Sequence, residues 1–376
     1  MKDNKIKIFH TGDFHLDSPF SGCNIKESDS RRASLRNAFS AALARAAADE
    51  CDLILIAGDL FDCGYVTSET VKRVFSELTS CGIPTVITPG NHDPYRAGGI
   101  YEREDKPNNL FVFSSPSLSR VDLDSLPVSI HGYAFTSDRI DEPPVTLDKI
   151  ELHPTNINIL LAHADLYSPL SKYAPLSTAT LEGSGFAYAA LGHVHKADAP
   201  VKCGSTTVAY CGFPEGRGFD ELGFGGAMEI TVDLSSGAVE TERITLSSRR
   251  YIIESVDVTG AESSKDAALA IERRVKEKGF GEETSLRAVL VGSVSPDFTP
   301  DLNLDASLFG LSLLEIENST SPVYDDEMLK NDISLRGALY RRLLPALSSD
   351  DKRERAVAAQ ALRLGLAALD GKQLLQ

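Results

Sequence analysis

The chain has 376 residues, 42% of them hydrophobic and 24% charged, the balance of a globular protein long enough for two or three domains. A formal net charge of −16 argues against nonspecific nucleic-acid binding by the surface as a whole and leaves a local basic groove, or bound cations, as the ways to meet a phosphate. No apolar run approaches the ~18 residues of a membrane span, MKDNKIKIF has no apolar signal region, and six scattered cysteines (Cys23, Cys51, Cys63, Cys81, Cys203, Cys211) without a CxxC fit a reducing cytoplasm better than a disulfide framework.

In chain order, residues 5–12 predict a buried strand through Ile6, Ile8 and Phe9. Leu35, Phe39, Ala42, Leu43 and Ala46 recur at helical steps and predict a helix over 34–49. DLILIAGD (52–59) is a continuously apolar strand, as expected for one covered on both faces. Val71, Val74, Phe75 and Leu78 mark a helix over 68–81, and PTVITPG (84–90) is the next strand. Strands alternating with helices predict a parallel layer. After residue 94 the pattern turns β-rich, with strands near 110–113, 119–123, 128–135, 157–165, 186–195, 205–213 and 227–234, which fit a second sheet packed on the first. The character breaks near 248: 249–258 and 285–294 read as strands, 263–279 as a helix, and 325–345 and 352–369 as terminal helices, the first striped by Leu335, Leu339 and Leu343. The expected domains are therefore a catalytic one over 1–248, a small α/β unit over 249–320 and a helical segment over 321–376.

Ligand-type residues gather where strands end. Asp13 and His15 follow the first strand, Asp59 ends the second with Asp62 three further on, and Asn91, His92 and Asp93 follow the third. His163 closes ILLAHAD, and His193 and His195 close AALGHVH. Most of these groups adjoin a glycine that permits a sharp turn. Taken singly, each has an ordinary structural explanation: a turn cap, a left-handed residue, a core histidine. Five strand ends at once do not. Imidazoles, a carboxamide and carboxylates in this mixture suit two first-row divalent ions in a two-metal hydrolytic site. Asp59, alone at the central strand end, is the candidate bridging carboxylate.

The set D-x-H, GD-x-x-D, GNHD, H and GH-x-H, carried by Asp13–His15, Gly58–Asp62, Gly90–Asp93, His163 and Gly192–His195, resembles the signature of the calcineurin-like metallophosphoesterases. Within them HTGDFHLDSPF is similar to the SbcD-type DNA-repair exonucleases, particularly their YhaO-like branch. The resemblance implies a two-sheet sandwich flanked by helices, four layers α/β/β/α, with a small C-terminal α/β cap and terminal helices. It implies Asp13, His15, Asp59 and His195 on one ion, and Asp59, Asn91, His163 and His193 on the other, so the two imidazoles of GHVH serve different ions. It implies His92 as the residue that stabilises developing charge or protonates the leaving oxygen, with Asp62 orienting it; many eukaryotic and archaeal relatives carry His where this chain has Asp62. It further implies two Mn²⁺ ions, with iron, zinc or magnesium as alternatives, a DNA substrate, an SbcC-type coiled-coil ATPase docking on the terminal helices, and a homodimer.

His10, His131 and His153 match no ligand position and read as structural. The glycine-rich stretch 212–226 lacks GxxxxGK[ST], so it is no nucleotide P-loop; it reads as a mobile loop whose Arg217 is a candidate phosphate contact. Arg31, Arg32 and Arg36 read as solvated helix residues or as the lining of a DNA path. Two other function classes compete with a DNA phosphodiesterase: a phosphoesterase for a small nucleotide or other phosphate ester, which the acidic charge favours, and a scaffold without turnover, which predicts missing ligands where none is missing.

Overall fold

The computed structural model describes residues 4–21, 24–103, 105–196 and 198–371, so Cys23 lies outside it; the other five cysteines are free thiols. The chain divides into two compact units, Met1–Tyr251 and Ile252–Gln376.

In the first unit β1 (Lys5–Thr11), β2 (Leu53–Ile56), β3 (Thr85–Ile87) and β4 (Leu110–Val112) pair in parallel, each with the next. The second sheet holds β5 (Ser119–Asp122), β6 (Val128–Gly132), β7 (Ile157–His163), β8 (Tyr188–Gly192), β9 (Val201–Cys203) and β10 (Thr206–Tyr210), in the order β5-β6-β7-β8-β10-β9. The strand β11 (Gly223–Asp233) pairs antiparallel with β1, and β12 (Val239–Asp257) pairs antiparallel with β11. The segments 110–113 and 227–234, expected in the second sheet, therefore belong to the first, as β4 beside β3 and β11 beside β1: alternation identifies a strand and its two faces but not its partner.

Strand alternation builds the layers. Leu53 and Leu55 face the second sheet, where they pack with Ile6, Ile8, Ile130, Ile159 and Tyr188. Ile54 and Ile56 face the other way, into Phe39 of α1 (Ile25–Ala48) and Val71, Phe75 and Leu78 of α2 (Ser68–Cys81). The outer face of the second sheet packs Leu160, Ala189, Leu191 and Val208 under Leu181 of α3 (Thr178–Ser184) and Phe186. This is the four-layer α/β/β/α sandwich.

Helix α1 starts nine residues before the predicted 34, capped by Asn24, whose Oδ1 accepts the Glu27 N–H at 3.0 Å. Its first turns are polar (KESDSRR) and show no apolar period, so periodicity alone misses them.

The second unit packs α4 (Ser264–Lys278) on β13 (Thr284–Val291) through Ala267, Ile271 and Val275 against Leu286, Ala288 and Leu290. The short strand β14 (Ser293–Val294) follows, and β15 (Leu313–Asn318) pairs parallel with β13. Ser263 and Asp266 form a reciprocal capping box that sets the start of α4. After β16 (Ser321–Pro322), α5 (Asp326–Asn331), α6 (Leu335–Leu347) and α7 (Lys352–Leu369) share a core of Leu329, Tyr340, Leu362 and Leu366. Of the predicted leucine stripe, Leu339 and Leu343 pack into that core, whereas Leu335 is 73% exposed.

Candidate metal centre

The strands β1, β2, β3, β7 and β8 all point their carboxyl ends at one spot, where ligands of open α/β sheets collect. Beyond β1 and β2 the two chains stay paired: Asp13 donates its N–H to Gly58 O at 3.0 Å, His15 to Asp59 O at 2.9 Å and Leu16 to Leu60 O at 3.0 Å. The backbone that carries that ladder is twisted. Asp13, His15, Asp59 and His193 have φ of 51°, 46°, 48° and 95°, the left-handed region that non-glycine residues rarely occupy. Such strain persists only where the surrounding structure holds it in place, and it clusters at functional sites.

Asp59 Oδ2 lies 3.3 Å from His163 Nε2 and 3.6 Å from His15 Nε2. His163 Nε2 is 2.9 Å from Asn91 Oδ1, and His15 Nε2 is 3.2 Å from His195 Nε2. Asp13 Oδ1 sits 3.8 Å from His195 Nε2, and its carboxylate accepts the His193 N–H at 3.1 Å. The His193 ring lies 5.1 Å from that of His163, centroid to centroid. Asp13, His15, Asp59, Asn91, His163, His193 and His195 are thus brought together. His92 stands at the rim with its side chain 44% exposed and Nδ1 3.8 Å from Asp62 Oδ1, while its backbone N–H donates to Asp59 Oδ1 at 2.8 Å.

The electrostatics follow from burial. Burial keeps the His15 imidazole well below its ordinary pKa, and burial with His163 nearby lowers His193 to about 4, so both are neutral donors at pH 7. Burial works against a charged His163, but Asp59 and Asp13 overcome it and raise it to about 9. Burial raises the Asp13 carboxyl, whereas His163, His15 and His92 outweigh burial at Asp59 and hold it below the carboxylate range. The two carboxylates thus demand positive charge; without a cation, His163 supplies a proton, and a metal competes for that lone pair.

The residues fit divalent ions on three counts. The Nε2 atoms of His15 and His195 face each other across 3.2 Å with carboxylates beside them, an arrangement a cation satisfies and a single shared proton serves poorly. His163 donates Nδ1–H to Ala57 O at 2.8 Å, which leaves Nε2 as the free donor. His15 Nδ1 is buried with no hydrogen-bond partner, and the ring's polar contacts in the site are made by Nε2.

Other residues complete the site. Asp93 lies inside GNHD, yet its task is not legible there. Its carboxylate accepts the N–H groups of Asp59 (3.2 Å), Leu60 (2.8 Å), Phe61 (3.2 Å) and Gly90 (2.7 Å) and the Tyr101 hydroxyl (2.5 Å), tying the loops after β2 and β3 together. Glu221, with no local signal beyond its i,i+4 spacing from Arg217, places Oε1 2.8 Å from His195 Nδ1. Arg217, the candidate phosphate contact, pairs with this carboxylate: its Nε and Nη2 donate to Glu221 Oε1 at 3.0 and 2.7 Å. Arg36 pairs with buried Asp17, Arg32 donates to the carbonyls of Ser18 and Pro19, and Arg31 pairs with Glu27, so these arginines brace α1 and the loop after β1.

Close approach needs glycine at position 192. A Cβ there would overlap the Ala57 carbonyl oxygen and sit 2.9 Å from its carbon, both backbone atoms that cannot swing away. Gly192→Ala is expected to cost about 1–3 kcal/mol of stability as overpacking, read as a lowered Tm by circular dichroism. An unchanged Tm would refute the close contact between β8 and the loop after β2.

With that geometry goes a family. Residues 6–197, half of the chain, match the calcineurin-like phosphoesterase model, and the chain belongs to that family. It is a metal-dependent phosphoesterase, and the family binds two divalent ions. Among its relatives is the metallophosphoesterase YhaO of Bacillus subtilis, 28% identical over 355 residues, 88% of this chain and 83% of that one. The DNA double-strand break repair protein Mre11 of Aeropyrum pernix is 30% identical over 291 residues, 72% of this chain and 68% of that one. These two place the chain in the SbcD/Mre11-like branch. A dimetal phosphatase from Danio rerio, 10% identical, covers 64% of this chain and 99% of its own with a TM-score of 0.42.

Proposed function

We propose that the protein is a Mn²⁺-dependent DNA nuclease, an exonuclease of the SbcD type acting in DNA repair or processing. The observation that carries the reading is the convergence of seven donor residues from five strand ends beside a half-exposed histidine. The 30% identity to a named DNA-break repair protein over 72% of the chain supports DNA as the substrate.

In this reading Asp13, His15, Asp59 and His195 hold one ion, and Asp59, Asn91, His163 and His193 the other. When bound, the pair supplies Lewis-acid polarisation of the phosphate and makes water a nucleophile at neutral pH. His92 is the group free to act on the substrate. Asp62 raises its pKa, its side chain faces solvent, and it can give a proton to the leaving oxygen. Ser18 Oγ donates to Asp62 Oδ2 at 3.3 Å and holds that carboxylate toward His92.

The remaining parts follow the same reading: a catalytic domain over 1–248, a capping domain over 249–320 and a helical segment over 321–376 that docks an SbcC-type coiled-coil ATPase. Exposed Ile333, Leu335 and Val357 on or beside the terminal helices support docking there. A homodimer in the cytoplasm belongs to the same proposal; the five free thiols agree with a reducing compartment, and no helix among the described residues is long and apolar enough to cross a membrane.

The net charge of −16 favours a second reading, a phosphoesterase for a small nucleotide or other phosphate ester. Assaying linear DNA, bis-p-nitrophenyl phosphate and a nucleotide panel with Mn²⁺ separates the two. A DNA enzyme degrades linear DNA and loses that activity steeply between about 50 and 200 mM salt, because phosphate contacts release counterions. Turnover of nucleotides with intact DNA selects the second reading.

A further inference from the structure

Glu221 is the least expected charge in the first unit. Its side chain is 1% exposed, in the irregular stretch between β10 and β11, and a buried carboxylate is costly unless it is fully paired. Its partners account for both oxygens. Oε1 accepts from His195 Nδ1 at 2.8 Å and from the Arg217 guanidinium, and Oε2 accepts the Arg217 backbone N–H at 2.7 Å.

We propose that Glu221, clamped by Arg217, is a positioning residue for His195: it holds the proton on Nδ1 and aims the Nε2 lone pair at a divalent cation. The proposal rests on the reading of His195 as a metal ligand. A neutral imidazole that donates from Nδ1 is unprotonated at Nε2, and here Nε2 lies 3.2 Å from His15 Nε2 and 3.8 Å from Asp13 Oδ1. A carboxylate partner also makes the imidazole a stronger donor than a carbonyl partner does. His163 has the carbonyl arrangement, with Ala57 O, and His195 has the carboxylate. The two halves of the metal site are therefore tuned differently, and Glu221 acts on one of them only.

Arg217 gives Glu221 its charge balance and its fixed direction. The guanidinium grips Oε1 through Nε and Nη2, a two-pronged contact that a lysine would not make, while the Arg217 backbone N–H holds Oε2. Its Nη1 lies 3.5 Å from Ser18 Oγ, the hydroxyl that donates to Asp62, so the clamp sits within one bridge of the carboxylate facing His92.

The test is calorimetric titration of the full chain with Mn²⁺, with metal content measured in parallel and apo folding checked by circular dichroism. Wild type is expected to bind two ions, and Glu221→Gln to weaken one site by about 10–100-fold while the other is unchanged. In a His195→Ala background Glu221→Gln is expected to add nothing, since residues acting through one ligand are not additive. Arg217→Lys is expected to weaken the same site by less, and it carries the same cycle if the Glu221 variant does not fold. Equal affinities in wild type and Glu221→Gln, or the same loss with and without His195, overturn the inference while leaving the metal site standing. A wild type that binds no Mn²⁺ overturns the ligand reading and the inference together.

Discussion

Asp59→Asn is expected to abolish turnover and remove Mn²⁺ binding together, with kcat/KM falling at least about 10³-fold, roughly 4 kcal/mol of transition-state stabilisation. Asp59 Oδ2 faces the Nε2 atoms of both halves of the site, 3.3 Å from His163 Nε2 and 3.6 Å from His15 Nε2. An amide in its place keeps the size and the acceptor for the His92 N–H but loses the negative charge that attracts two cations into a buried space. Asparagine tolerates the left-handed backbone at φ 48°, so the fold is expected to survive and the loss to be chemical. Thermal unfolding provides the second readout. Ions that bind only the folded state stabilise it by about 4 kcal/mol at a thousandfold excess over Kd. Mn²⁺ should therefore raise the wild-type Tm and chelator lower it, and both effects should vanish in Asp59→Asn. A variant that still gains Tm from Mn²⁺ would show that Asp59 does not bridge the site.

His92→Gln should separate what Asp59→Asn removes together: metal content and the Mn²⁺-dependent rise in Tm unchanged, turnover down by about 10²–10⁴-fold, the usual contribution of a positioned acid or base. The separation follows from which atom does what. The backbone N–H of His92 holds Asp59 Oδ1 at 2.8 Å, and glutamine keeps that N–H. The imidazole projects to the rim, 3.8 Å from Asp62 and 44% exposed, and glutamine cannot carry its proton. Loss should fall on kcat more than on KM, because a proton donor acts mainly in the transition state. A glutamine variant with wild-type kcat would assign proton transfer to another group.

Much of this site is legible in the chain before it folds. Asp13, His15, Asp59, Asn91, His163, His193 and His195 each stand at the end of an apolar run, and runs and their ends are local properties. Two imidazoles at i, i+2 in GHVH are likewise a local fact. The helix over 68–81 is legible for the same reason, with Thr67 as its N-cap and Gly82 in the left-handed conformation at its end. What local pattern misses is any task defined by a distant partner. Glu221 serves His195, twenty-six positions earlier, and nothing between them announces it. The four loop N–H groups gathered by Asp93 come from the ends of two strands, so only their pairing assigns it that work. Arg217 has the right chemistry for a phosphate, and only the folded chain shows that it also pairs with a carboxylate four residues on.

By itself, the order of residues determined the kinds of elements, the parallel pairing of the first strands and the family, and it supplied the candidate donor set. Side-chain type and hydrophobic period are short-range quantities that a strand or helix inherits directly. Only the tertiary structure decided that 227–234 joins the first sheet beside β1, that His15 and His195, 180 positions apart, face each other across 3.2 Å, and that Asp13, His15, Asp59 and His193 are held at positive φ. Those outcomes depend on which strand ends meet and on the packing that keeps strained backbone in place, and both are set by contacts between segments distant in the chain.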